Sequence, residues 1–137
     1  MSKVEQVVIN SNREQFIKGT YNKIMVIIRK KDGFINATHM CNQFNKKFRK
    51  IFENHAWQSY YKEFCVEYSV SPEMGEQLYR LQNGVSNDLR GTYVNPLLIN
   101  YIAIWASPKY AIHVGKIMDS INTIGQLTNN QNYSDDH

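Results

Sequence analysis

Four cations fall within five positions of the stretch FNKKFRKIFENHAW, Phe44 to Trp57: Lys46, Lys47, Arg49 and Lys50, interrupted only by Phe48. Ammonium and guanidinium groups at that density neutralise phosphates and release their counterions, and arginine also pairs with guanine edges. A solvated helix face normally mixes signs for solubility, yet Glu53 is the only acid close by. Two readings stand: a wet helix face, or a surface for a polyanion. On the second, the lysines are phosphate contacts, and Arg49 or Asn54 reads bases. The loop QNGVSNDLRG adds Asn83, Ser86, Asn87 and Arg90, which suit phosphates or minor-groove edges as well as a plain hairpin connection. The turn RKKDG adds Lys30 and Lys31, phosphate candidates or a solubility device at a hairpin tip.

Other chemistry finds little support. His39, Cys41, His55 and Cys65 match no zinc-finger spacing. Cys65 with His113 has no assignable orienting partner or oxyanion loop. There is no Gly-rich phosphate loop, HExxH or GxSxG. No metal, cofactor or catalytic role is expected. Trp57, Tyr60, Tyr61, Phe64 and Trp105 read as core aromatics rather than base-stacking platforms.

The whole chain sets the frame. With 137 residues, 42% hydrophobic and 20% charged, it suits one soluble domain with its own core. No apolar run spans a bilayer, no signal-peptide pattern opens the chain, and two cysteines make no disulfide scaffold. An intracellular compartment is expected. A net charge of +4 is modest, but it is segregated. From Lys18 to Lys62 ten cations oppose only Asp32 and Glu53; after that, acids lead. Such a chain presents one positive face.

The elements that must hold these groups follow from pattern. KIMVIIRKKDGFINAT reads as a hairpin, with strand Lys23–Arg29, an Asp32-Gly33 turn and a return at Phe34-Ile35. VEQVVIN is a candidate edge strand. Asn36 or Thr38 caps a short helix, and a second helix starts at Lys46 with Phe48, Ile51, Phe52 and His55 on one side. Trp57, Tyr60, Tyr61 and Phe64 continue out of phase, so the chain breaks at Asn54-His55. SPEMGEQ suits a helical turn, and LYRLQNGVSNDLRGTYV two strands around a polar loop. Asn95-Pro96 starts a buried helix, and Ser107-Pro108 another, with Tyr110, Val114, Ile117, Met118, Ile121 and Ile124 on one stripe. The domain should fill residues 1–127, with the polar 128–137 a disordered tail. A helix pair with a basic second member, then a hairpin, is the layout of a winged helix-turn-helix.

DGFINATHMCNQF and RGTYVNPLLINYIAIWASPKYA, with the run between them, resemble the KilA-N domain of large DNA viruses and phages, poxviruses included. That domain is similar to the DNA-binding domain of fungal APSES transcription factors. The resemblance spans Gly19 to Ile121 and rests on Asn36-Ala37-Thr38 and Gly91-Thr92-Tyr93. It implies an α+β winged-helix fold with a small antiparallel sheet and a C-terminal helical pair. It also implies DNA binding in a viral protein, in a cytoplasmic viral factory or the nucleus. Some poxvirus relatives carry a RING finger, for which this chain has too few cysteines. The wing offers Gly84 and Gly91 and is less glycine-rich than the APSES pattern. The expected function is non-catalytic docking on double-stranded DNA. RNA or single-stranded DNA, or a protein partner, are the alternatives; an exposed Tyr60 or Tyr61 on the basic face would favour single strands.

Overall fold

Two tight turns build the first half of the sheet. Asn12 and Arg13 both take positive φ (50° and 65°), as do Asn22 and Lys23 (48° and 69°), the requirement of a type I′ hairpin turn. They join β1 (Glu5–Ser11), β2 (Glu14–Tyr21) and β3 (Ile24–Arg29). Neither turn contains glycine, so the sequence pattern does not announce β2. The computed structural model describes residues 3–73, 77–82 and 84–135, with side chains as far as Ile121 apart from that of residue 79.

Three further strands complete an antiparallel sheet: β4 (Ile35–Asn36), β5 (Leu78–Leu81) and β6 (Gly91–Val94), in the order β1-β2-β3-β4-β6-β5. The apolar run of β3 is continuous because both its faces are covered. Val26 and Ile28 join the helix-side core with Ile35, Met40, Ile51, Trp57, Ile102 and Ile117. Ile27 points the other way, to Phe16, Leu81, Tyr93 and two residues of the β5–β6 connection, Val85 and Leu89. The connection therefore lies down on the second face of the sheet. It is not a free-standing wing.

On the helix side, α1 (Ala37–Asn42) starts at Asn36, whose Oδ1 accepts the His39 N–H at 2.9 Å. The expected second helix at Lys46 is corrected. Asn45 turns left-handed (φ 59°) and the Lys46 N–H returns to the Cys41 carbonyl at 3.1 Å, closing α1. Helical geometry resumes only at Phe48, as a 3₁₀ helix, Phe48–Glu53. Its three-residue turn stacks Phe48 over Ile51, both buried, and leaves Arg49 and Lys50 outside. The break at Asn54 is present: Asn54 is extended and caps α2 (His55–Glu67), accepting the Trp57 N–H at 2.8 Å.

Asn95 accepts the Leu97 N–H at 2.9 Å and opens a 3₁₀ turn, Pro96–Leu98, that runs into the largely buried α3 (Ile99–Ala106). The last helix, α4 (Pro108–Asp135), buries Val114, Ile117 and Met118, with Tyr110 and Ile121 packed partly against the same core. It lies so close over β2 that a Cβ on Gly19 would sit 2.6 Å from Ile117 Cγ2. The helical trace reaches Asp135 and so takes in most of the polar segment expected as a tail. Ile124 of the expected stripe lies outside the described side chains, and residues 74–76 of the helical turn expected in SPEMGEQ lie outside the described residues.

Candidate nucleic-acid interface

The two motifs that carry the family resemblance meet in space. Asn36 is fully buried, and its Nδ2 donates to the Arg90 carbonyl at 3.0 Å. Two residues on, Thr38 Oγ1 accepts the Thr92 N–H at 2.9 Å. Gly91 lies between them at φ +146°, where a Cβ would stand 2.4 Å from Asn36 Oδ1 and 2.9 Å from Thr38 Cβ. No side chain fits there. The Tyr93 hydroxyl donates to the Leu89 carbonyl at 2.6 Å, tying the far side of the same joint.

This joint is the floor of a groove of 540 Å³. Thr38 and Asn42 of α1 form one side, with Lys47, Phe48, Arg49 and Phe52 of the basic turn. Arg80 of β5 and Gln82 just beyond its end form the other, and Gly91 and Thr92 lie beneath. Lys47, Arg49 and Arg80 thus converge from separate segments, and among the described residues no acid lines the groove. All three are exposed, and none forms an ion pair among the described residues. Cations left without carboxylates, beside amide and hydroxyl groups, suit a chain of phosphates.

The basic run therefore divides. Lys47 and Arg49 face the groove. Lys46 places its ammonium 5.0 Å from the centre of the Trp105 ring, towards α3, and Lys50 stands 3.7 Å from Glu53. Asn54 spends its carbonyl oxygen on the α2 cap. Ser86, Asn87 and Arg90 are exposed on the β5–β6 connection, anchored by buried Val85 and Leu89; Asn83 lies outside the described residues. Lys30 and Lys31 line a separate groove with Arg13 and Glu14. Arg80 is the residue that sequence reasoning missed, because its segment reads as acidic. Its signal is strand alternation: Arg80 shares a strand face with buried Leu78 and pairs with Thr92 of the second motif.

The remaining candidate groups are ordered differently. Tyr60 is 38% exposed, but its ring stacks on Tyr101 at 4.5 Å and does not line the groove. Tyr61 stacks on Trp57 at 5.6 Å. Burial pushes the Cys41 thiol up to about 12, with Lys46 opposing weakly, which leaves it no nucleophile at neutral pH. Burial lowers the pKa of His39, whose Nδ1 has no hydrogen-bond partner among the described residues, against the pull of Asp88. Among the described residues no group of three His, Cys, Asp or Glu side chains could hold a metal ion, and no helix is long and apolar enough to cross a membrane.

An antiparallel sheet backed by short helices and a C-terminal helical pair, with a cationic groove that has no acid among its described lining residues, defines an α+β domain. The family model of the KilA-N domain matches residues 19–124, and the chain belongs to that family. The family is generally DNA-binding in viral proteins and is not a known enzyme family. Among its relatives are KilA-N domain-containing proteins of Acanthamoeba polyphaga mimivirus, a large DNA virus. One is 30% identical over 85% of this chain and 33% of its own length. Two others are 32% identical over 84% of the chain and 33% identical over 77%, covering 25% and 31% of the relatives. The chain thus spans a third or less of the length of these three relatives. No solved structure matches it.

Proposed function

We propose that this domain docks without catalysis on double-stranded DNA, with one phosphate backbone lying in the groove between the basic turn and β5. The observation that carries the reading is the convergence of Lys47, Arg49 and Arg80 on a groove with no acid among its described lining residues. Lys47 and Arg80 hold phosphates from opposite sides, while Arg49 reaches for base edges and Asn42 and Gln82 supply neutral donors. Ser86, Asn87 and Arg90 touch the neighbouring backbone, as the wing of a winged helix-turn-helix would. Lys46, Lys50 and Asn54, and the tip residues Lys30 and Lys31, have smaller parts. The setting is a viral regulatory protein acting where viral or cellular DNA is present, with the domain itself closing near residue 127.

Titration of matched duplex DNA, single-stranded DNA and RNA across a salt series tests this. Duplex should bind most tightly, with log K falling by about 0.9 for each phosphate contact per unit of log salt. A flat salt dependence overturns the mechanism. Preference for single strands would move the reading to the RNA or single-strand alternative, against which the stacking of Tyr60 on Tyr101 speaks.

A further inference from the structure

The far edge of the sheet is unguarded. β1 is an outer strand, paired with β2 from Glu5↔Thr20 to Ser11↔Glu14 without a bulge. Its residues, EQVVINS, include neither proline nor lysine, the usual means of blunting an edge. Val7 and Val8 are 57% and 53% exposed, on opposite faces of the strand. Residues 5–18 also precede the part of the chain matched by the family model. That match begins within β2, so β1 lies outside it.

Backbone geometry says which groups are free. A two-residue turn makes its flanking pair, Ser11 and Glu14, a hydrogen-bonded one, so Glu5, Val7, Ile9 and Ser11 bond to β2. The N–H and C=O groups of Gln6, Val8 and Asn10 then point outward. The side chains read the same in both directions about Val8. An antiparallel strand of the same sequence, centred on Val8, sets Val8 against Val8, Val7 against Ile9, Gln6 against Asn10 and Glu5 against Ser11. Every outward backbone group meets an outward group of the other strand. Apolar residues face apolar ones, amides face amides, and the strand's one charge faces a hydroxyl, so no like charges oppose each other.

We propose that β1 is a self-association edge, on which a second copy of this chain pairs antiparallel about Val8. The contact is isologous, with a two-fold axis through the Val8 pair. It joins two six-stranded sheets into one of twelve and covers both exposed valines. The axis stands perpendicular to the sheet, so both copies carry their helices on the same side. The groove at the β5 end of each copy falls at an outer end of the joined sheet, and neither is covered.

The test is the molar mass of the full chain by light scattering and sedimentation, from low to high micromolar. The wild type should rise from one chain to two. Val8→Lys and Val8→Glu each place like charges face to face on the axis, and each should stay at one chain. At the low end of that range, where the wild type is also single, their unfolding curves should match it, because position 8 is exposed. Mixed together, the two variants should form a one-to-one pair, which pairing at Val8 requires and non-specific apolar contact does not. A wild type that stays single at all concentrations overturns the proposal. So does a Val8→Lys chain that still pairs with itself, or a mixture that stays apart.

Discussion

The side-chain amide of Asn36 donates to the backbone carbonyl of Arg90 at 3.0 Å, and its oxygen accepts the N–H of His39 at 2.9 Å. One buried side chain thus starts α1 and fixes the end of the β5–β6 connection. Asn36→Ala should lose the cap, about 1 kcal/mol, and remove the hydrogen bond to the Arg90 carbonyl, about 1 kcal/mol more. Urea unfolding would show it as a lower midpoint at unchanged slope. A change within the ±0.5 kcal/mol typical of surface sites would mean the joint is not structural.

Gly91→Ala attacks the same joint from the other side. Its φ of +146° disfavours any side chain, and the new Cβ would meet Asn36 Oδ1 at 2.4 Å. The variant should melt lower than Gly33→Ala, where the nearest atom is 3.9 Å away, although both glycines have positive φ. Equal melting temperatures would show that contact with Asn36 adds nothing to the backbone strain.

Arg80→Ala and Lys47→Ala should each lower the salt slope of duplex binding by about 0.9 and leave stability nearly unchanged, since both side chains are exposed. Lys46→Ala should behave differently. It removes a cation–aromatic contact with Trp105, worth about 0.5–1 kcal/mol of folding stability at an exposed site, and should move the slope less. An Arg80→Ala chain with the wild-type slope would take β5 out of the interface.

If Arg49 reads a guanine edge, Arg49→Ala should cost about 1–3 kcal/mol on the preferred duplex and relax the preference at one base pair. Competition between single-base variants of the selected site measures it. A uniform loss across all sequences would make Arg49 a phosphate contact like Lys47.

Burial raises the Tyr93 hydroxyl from 10.0 to about 12. The unfolded chain ionises first, so the stabilisation is complete below pH 10 and is lost as pH climbs towards 12. The full loss is about 3 kcal/mol. Tyr93→Phe should start less stable, having lost the hydrogen bond to Leu89, but its alkaline decline should be shallower by that amount. Unfolding midpoints of both proteins between pH 9 and pH 12 decide it. Parallel curves would mean that other groups govern alkaline unfolding.

Sequence by itself determined those features that rest on neighbours along the chain. A side-chain cap at Asn36 or Thr38, the Asp32-Gly33 turn, the break at Asn54 and the apolar stripe Val114-Ile117-Met118 are set by hydrogen bonds and periodicities within a few residues, although the structure alone chose Asn36 as the cap. The density of cations between Lys46 and Lys50 belongs here too. Tertiary structure decided where those cations point. Burying Phe48 over Ile51 forced a 3₁₀ turn, sent Lys46 to Trp105, and left Lys47 and Arg49 facing the groove. Arg80 joined them only because β5 pairs with β6, and Thr92 of β6 donates to Thr38 of α1, 54 positions earlier. Likewise β2 is held by two glycine-free turns whose positive φ depends on strand pairing on both sides. Local patterns encode the angle of a turn or the face of a helix. Which distant surfaces share one groove depends on how the whole sheet and its helices close over a common core.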